Sequence, residues 1–413
     1  MLPKDWQRAK LGAIGSVKSG GTPARSQHDR YFLNGKWPWV KTMDLTNSEI
    51  LTTNELITDL ALVESSCKLH PPGTLLVAMY GGFKQIGRTG LLRHESAVNQ
   101  AISAIELDHN QAHPEYVLHW LNGNVGAWKA FAASSRKDPN ITRENVCDFL
   151  VTLPTLLEQR RIAQILTTWD QAIVTMERML ANSQRRTRDL MGTLLSGRRR
   201  FPGMPDKWRY MDFDAVFERI TRKNTTNNTN VLTISAEFGL ISQRDYFNKS
   251  VASTNLVGYT LLHRHDFAYN KSYSAGYPMG AIKPLLAYDA GVVSSLYLCF
   301  KLRTDVDADF DFFRHYFEAG LLNQEIEGIA QEGARNHGLL NVSVTDFFKL
   351  QLHIPSPPEQ RRIAEILNVA KAEEAQLVAQ LQALKREKSA LMSQLLTGKR
   401  RVNLAGCESE AKA

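Results

Sequence analysis

The chain has 413 residues, a length that fits two or three domains at roughly 150 residues each. Hydrophobic residues make up 43% of it, ample for globular cores, and a formal net charge of +8 suits a polyanionic partner without excluding a merely basic soluble protein. Four scattered cysteines (Cys67, Cys147, Cys299, Cys407) suggest neither a disulfide framework nor a zinc site and fit a reducing cytoplasm; Met1-Leu2-Pro3-Lys4-Asp5-Trp6 lacks a signal-peptide pattern, and the longest apolar run, near Leu75 to Tyr80, is too short to span a membrane.

Residues 1–154 are expected to form a first globular domain, rich in strand and turn signals. Lys18-Ser19-Gly20-Gly21-Thr22-Pro23 reads as a loop, and Lys36-Trp37-Pro38-Trp39-Val40 as a strand interrupted by proline, as at a sheet edge. Thr74 to Tyr80 reads as a buried strand that leads into a flexible basic loop, Gly81 to Arg88. Tyr116 to Phe131 reads as a helix, and Arg136-Lys137-Asp138-Pro139-Asn140 as a polar turn.

Residues 155–200 read as one long helix, and the stretch recurs at 356–402. The offset is a constant 201 residues, and 17 of the 43 positions from Glu158 to Arg200 are identical in Glu359 to Arg401. Thr155 with Glu158, and Ser356 with Glu359, have the spacing of capping boxes. Gly197 and Gly398 stand where a left-handed residue ends a helix. About 40 residues at ~1.5 Å each span about 60 Å, far beyond an average globular helix. Ile162, Ile165, Trp169, Ile173, Met176, Leu180, Leu190 and Leu194 in the first copy, and Leu377, Leu381, Leu384, Leu391 and Leu395 in the second, fall at steps of three and four, the seam of a coiled coil. A solitary helix of this length would expose that seam, so the copies are expected to pack on each other rather than on two separate cores. Ser183 and Thr187, and Lys388, weaken the seam.

Residues 201–355 repeat the globular plan loosely, opening with Pro205-Asp206-Lys207-Trp208 where the first opens with Pro3-Lys4-Asp5-Trp6. Thr221 to Asn230 reads as a polar loop, Asp266 to Lys271 as a strand entering the loop Ser272 to Tyr277, Gly291 to Phe300 as a strand, Phe312 to Ile329 as a helix and Arg335-Asn336-His337-Gly338 as a turn. The expected fold is α+β: two globular domains with mixed or antiparallel sheets, separated by two long helices in an antiparallel coiled coil, with an internal pseudo-twofold duplication. Residues 403–413 are expected to be a disordered tail.

Patterns for catalysis fail one by one. Ser356-Pro357-Pro358-Glu359 has the prolines of an adenine-methyltransferase loop but no ring to stack on a flipped base, and it sits at a helix start. Gly81 to Gly90 has the wrong spacing for a dinucleotide loop, there is no Walker A sequence, and no clustered carboxylates with a lysine suggest a metal nuclease. His263-Arg264-His265 lacks companion ligands and reads as a strand or surface pair. No catalytic residue, metal or cofactor is therefore expected.

Two variable domains, each followed by a closely related long helix opening with Pro154-Thr155-Leu156-Leu157-Glu158-Gln159-Arg160-Arg161-Ile162 and Pro355-Ser356-Pro357-Pro358-Glu359-Gln360-Arg361-Arg362-Ile363, resemble the specificity subunit of type I restriction–modification systems. Gly20-Gly21-Thr22-Pro23 with Trp37-Pro38-Trp39-Val40 looks like that family's domain opening, and Phe267-Ala268-Tyr269-Asn270-Lys271 and Val293-Ser294 look like parts of its second domain; Thr155 departs from a frequent second proline. The resemblance implies two target recognition domains, each reading half of a split double-stranded DNA sequence. It further implies helices that separate the domains and dock two methyltransferase subunits, restriction subunits that join through the complex, and no catalytic site of the subunit's own. DNA contacts are then expected from loop residues, Arg and Lys to phosphate and guanine and Asn and Gln to adenine: Lys84, Gln85 and Arg88, with Arg136, Lys137 and Asn140, in the first domain, and Asn270, Lys271, Tyr273, Arg335 and Asn336 in the second. The rivals are a coiled-coil adaptor that binds proteins only and a stand-alone nuclease.

Overall fold

The computed structural model describes residues 2–82, 84–132, 140–235, 238–247, 256–274, 276–330 and 340–404. Two compact units emerge: Met1–Glu177 with Ala379–Ala413, and Arg178–Val378. Each holds one globular part together with portions of both long helices.

In unit 1 the strands are β1 Gln7–Lys10, β2 Gly15–Ser19, β3 Trp37–Val40, β4 Ser48–Ile50, β5 Leu56–Ile57, β6 Leu69–His70, β7 Leu75–Ala78, β8 Thr89–Leu92, β9 Ser96–Val98, β10 Ile102–Leu107 and β11 Leu150–Leu153. β7 and β8 are buried along their whole length, and so take the middle of a five-stranded sheet of order β2-β10-β7-β8-β4. β4 lies parallel to β8 and the other pairs are antiparallel. A second sheet, β5-β3-β9-β6, is also mixed, and β1 closes on β11. The expected edge strand at Trp37–Val40 is thus an interior strand. Its ladder steps over the proline: the Lys36 amide donates to Ile57, and the next donation to β5's side comes from Trp39, to the Glu55 carbonyl. Such a step absorbs the donor that Pro38 lacks.

In unit 2 the strands are β12 Arg209–Asp212, β13 Phe217–Arg219, β14 Leu232–Ser235, β15 Gly239–Ser242, β16 Thr260–His263, β17 Phe267–Asn270, β18 Ala281–Pro284, β19 Ala290–Val293, β20 Leu298–Leu302 and β21 Gln351–Ile354. They form an antiparallel sheet, β13-β20-β17-β18, and three two-stranded sheets, β12-β21, β14-β15 and β16-β19. The single strand expected from Gly291 to Phe300 is two, β19 and β20, because the Tyr297 amide closes a turn on the Ser294 carbonyl between them. Both long amphipathic stretches break likewise. The first gives Pro114–Gly123 and Val125–Ala132, with the Asn124 side chain donating to the Trp120 carbonyl at the break. The second gives Phe310–Glu318 and Asn323–Ile329, parted at Gly320, whose φ is +69°.

The long helices run Leu156–Leu194 and Pro357–Leu395, 39 residues each, with Gly197 and Gly398 at φ +71° beyond their ends. The capping boxes do not close. The Glu158 amide does donate to the Thr155 hydroxyl oxygen, at 3.4 Å, but the Glu158 and Glu359 carboxylates turn away to distant arginines. Both carboxylates are buried, where a charge needs a full cationic partner more than a lone amide. In unit 1 Asp170 meets Lys388 and Glu177 meets Lys385; in unit 2 Arg186 meets Glu373. Rising numbers on one helix against falling numbers on the other make the pairing antiparallel within each unit. Ile162, Leu194, Leu377 and Leu395 are buried, and Ile165, Trp169, Ile173, Met176, Leu180, Leu190, Leu381, Leu384 and Leu391 half-buried. Ser183 and Thr187 are buried in the same row.

Each unit's main core is seeded by helix residues: Ile162, Ala163 and Leu166 with Leu395 and Leu396 in unit 1, and Ile363, Ala364 and Leu367 with Leu194 and Leu195 in unit 2. The smaller clusters around Val40, Trp39, Leu232 and Val231 contain no long-helix residue.

Candidate nucleic-acid interface

A strand buried on both faces has nowhere to put a polar side chain, so the polar residues of the sequence collect where such strands end. In unit 1, β7 ends at Ala78 and the chain returns as β8 at Thr89. The loop between them is pinned from below. Gly87, at φ +76°, lies so close to Trp128 that a Cβ would sit 2.5 Å from its ring, so only glycine fits. The Gln85 amide donates to the Gly82 carbonyl and the Arg88 amide to the Gln85 carbonyl, 3.0 Å each. Lys84 is exposed and Arg88 half-exposed. Gln85 donates to the Met43 sulfur at 3.4 Å while its Oε1 is buried without a partner among the described residues. Tyr80 and Met43 stand exposed beside it, 45% and 66%.

Unit 2 repeats the arrangement at the end of β17. The Asn270 side chain accepts from the Ser272 amide at 3.1 Å, so it shapes the turn rather than reaching outward. Lys271 donates to the Val342 carbonyl at 3.4 Å and Tyr273 is 65% exposed. Farther along, Tyr277 donates to Glu318 at 2.8 Å and Lys283 donates to Tyr277 at 2.7 Å. Burial, with Glu318 beside it, pushes the Tyr277 hydroxyl well above the usual tyrosine range, so this network stays put at ordinary pH.

In both units a later residue is tied to the residue just past the strand by an equivalent bond. The Ile141 amide donates to the Met79 carbonyl at 3.0 Å, and the Leu340 amide to the Lys271 carbonyl at 2.9 Å. Asn140, half-buried, is thereby brought beside the loop of Lys84, Gln85 and Arg88. Arg136, Lys137, Arg335 and Asn336 lie outside the described residues. Sequence reasoning passed over Tyr80 and Met43; an exposed aromatic directly after a fully buried strand was the signal for the first.

Chemistry of other kinds has little to work with. Burial raises the Cys67 thiol and pushes that of Cys299 up to about 12, so neither is a ready nucleophile. Among the described residues no group of three His, Cys, Asp or Glu is placed to hold a metal ion. His265 instead carries a positive φ, +75°, and Arg264 pairs with Asp289. No described helix is long and apolar enough to cross a membrane.

Residues 3–182 match the family model of the type I restriction modification DNA specificity domain. The chain is 25% identical over 163 residues to the type I restriction enzyme EcoR124I/EcoR124II specificity subunit of Escherichia coli, covering 39% of this chain and 40% of that protein. It is 25% identical over 176 residues to the type I restriction enzyme MjaIX specificity subunit of Methanocaldococcus jannaschii, covering 42% of this chain and 39% of that protein. The matched region thus spans about two fifths of each curated relative. The fold is shared more widely. The crystal structure of the S subunit of a type I restriction–modification system from M. genitalium superposes with a TM-score of 0.59 at 13% identity, over 96% of this chain and 97% of that one. A chain from a structure of a type I R-M system gives 0.57 at 17% identity, over 97% of this chain and 100% of that one. Residues 3–182 thus resemble a type I restriction modification DNA specificity domain, and nearly the whole chain shares the fold of those two structures.

Proposed function

We propose that the chain is the non-catalytic subunit that gives a cytoplasmic type I restriction–modification enzyme its DNA target. Segments 1–154 and 201–355 each read one half of a bipartite duplex sequence through the loops that follow β7 and β17. Segments 155–200 and 356–402 serve as spacer and as the docking region for two methyltransferase subunits, through which restriction subunits join. The observation that carries this reading is the doubled loop pair. Each unit ends a buried strand in a basic loop, and each ties a later residue, Ile141 or Leu340, to the start of that loop by the same backbone bond. Cations and amides held on rigid strand ends are what direct readout of base edges requires.

The test is replacement of residues 1–154 by the corresponding part of a relative, followed by sequencing of methylated adenines in cells carrying the complex. One half of the split motif should change and the other should stay. If both halves change, the domains do not read independently. If the chain binds duplex DNA without dependence on salt, or not at all, a protein-binding adaptor replaces the proposal. Native mass spectrometry of the co-expressed complex should show two methyltransferase subunits per chain.

A further inference from the structure

The four-stranded sheet of unit 2 has a second basic feature at the end that carries the Lys271 loop. β13 and β17 both finish there, and β20 begins there, since Arg219 lies opposite Phe300 and Tyr269 opposite Leu298. Between these ends opens a cleft of about 310 Å³. Arg219, Lys223 and Lys271 line it, with Thr221, Ser295 and Tyr297 supplying hydroxyls, and no carboxylate belongs to the lining. Lys223 donates to the Gly258 carbonyl at 3.1 Å and Lys271 to the Val342 carbonyl at 3.4 Å, which leaves each ammonium two further protons to give. Arg219 is exposed and its guanidinium has no hydrogen-bond or ion-pair partner among the described residues. Asp266, whose charge acts on the lining residue Cys299, is already held by Arg222 at 2.6 Å and by the His263 amide at 2.7 Å, and Glu218, the chain neighbour of Arg219, pairs with Lys301.

Three like charges in one small cleft repel one another, and an anion placed among them relieves that repulsion. We infer that this cleft grips a phosphodiester of the DNA backbone beside the second half-site. The assignment rests on the DNA-reading proposal above and adds to it. Arginine, lysine and hydroxyl side chains hold phosphate oxygens; arginine and lysine also reach guanine, but the carboxylates and amides that discriminate cytosine and adenine edges are missing from the lining. The cleft therefore fixes the register of the duplex and leaves base choice to the loop beside it.

The experiment measures binding of the full chain to a duplex of unrelated sequence over a series of potassium chloride concentrations. Each phosphate contact contributes about 0.9 to the slope of log affinity against log salt. Arg219→Gln with Lys223→Gln should lower the magnitude of the slope by roughly 1 to 2, while Arg219→Lys with Lys223→Arg should retain it. The methylated motif made by the complex should keep all its bases in both variants. An unchanged slope in the glutamine variant overturns the inference, and so does a changed base in the second half-site. A wild-type chain that shows no salt-dependent binding defeats the DNA-reading proposal itself, which keeps the two failures apart.

Discussion

Gln159 in unit 1 and Gln360 in unit 2 make the same joint. The Gln159 Oε1 accepts from the His113 amide and its Nε2 donates to the Pro154 carbonyl; the Gln360 Oε1 accepts from the Asp309 amide and its Nε2 donates to the Pro355 carbonyl. His119 meets Thr167 at 3.2 Å, and His315 meets Asn368 at 2.8 Å. The strand orders β2-β10-β7-β8 and β13-β20-β17-β18 match place for place. What differs is attached outside this frame: a parallel fifth strand and a second mixed sheet in unit 1, two separate strand pairs in unit 2. A buried amide or imidazole must keep its hydrogen-bond partners, so the frame against the long helices has little freedom. The inserts pack on their own small clusters and can change without disturbing it.

The largest expected effect comes from breaking the frame where its two versions differ slightly. Glu158 is held by Arg401 at 2.7 and 2.9 Å and receives the Trp6 indole N–H at 3.1 Å. Glu359 is held by Arg200 at 2.6 and 3.1 Å, while the Trp208 indole N–H is buried with no partner among the described residues. Stranding a buried carboxylate costs roughly 3–5 kcal/mol, and solvent reaching the arginine side moves the cost toward the lower end. Arg401→Met and Arg200→Met should therefore both lower the urea midpoint, the second by more, because Glu359 has no indole to fall back on. Trp6→Phe should destabilise by about 1 kcal/mol, the value of one hydrogen bond, and Trp208→Phe should not. Equal losses from the two tryptophan changes would erase the difference between the joints.

This asymmetry was hidden in the sequence, whereas the repeat that produces it was plain. The constant offset, the terminal glycines and the three-four spacing from Ile162 to Leu194 are local patterns; they mark the start of both long helices to within a residue, while the expected segments 155–200 and 356–402 run past the helix ends at Leu194 and Leu395. The partners of Glu158 stand at positions 6 and 401, far outside any local window, so the acid reads as a cap. Pro38 reads as an edge signal because sequence cannot show a ladder stepping past it. Loop polarity exposed the regions of Lys84 and Lys271. The bonds that gather Asn140 toward the first loop and Leu340 toward the second depend on backbone geometry and leave no compositional trace. Asn270 looked outward-facing for the same reason, though its side chain serves its own turn.

A second contrast lies in the two framework histidines. Burial holds both His119 and His315 below the usual imidazole range, and His119 falls to about 4 despite Asp170 and Glu115, with Lys388 acting in the same sense as burial. The unfolded chain keeps a value near 6.5. Below that pH the unfolded state takes up the proton first, so the stability His119 contributes is complete above pH ~6.5 and drains away as pH falls toward about 4. The difference amounts to at most about 3 kcal/mol. The thermal midpoint should fall through this window, and His119→Gln should flatten the fall. A flat wild-type profile, or a variant that falls as steeply, would show that the imidazole is not what titrates.

The smallest effect concerns the seam, where the repeat makes Ser183 the equivalent of Leu384 and Thr187 that of Lys388. The seam of unit 2 buries both hydroxyl residues, and the Ser183 Oγ and the Glu374 Oε1 have no partner there among the described residues. Unit 1 has leucine at the first position, while Lys388 reaches out to Asp170 at the second. Ser183→Ala removes an unsatisfied buried oxygen and installs the best helix former, so it should stabilise by about 0.5–1 kcal/mol. Lys388→Met removes only a half-exposed pair, for which ~0–1 kcal/mol is the usual range, and it should raise the His119 pKa because a cation leaves its surroundings. Unfolding midpoints read the first change, and the pH profile of the preceding experiment reads the second. If Ser183→Ala destabilises instead, the hydroxyl layer is fixing how the two helices register, as a single polar residue does in a coiled coil. Amide exchange along Leu156–Leu194 would then rise beyond the substituted turn rather than at it alone.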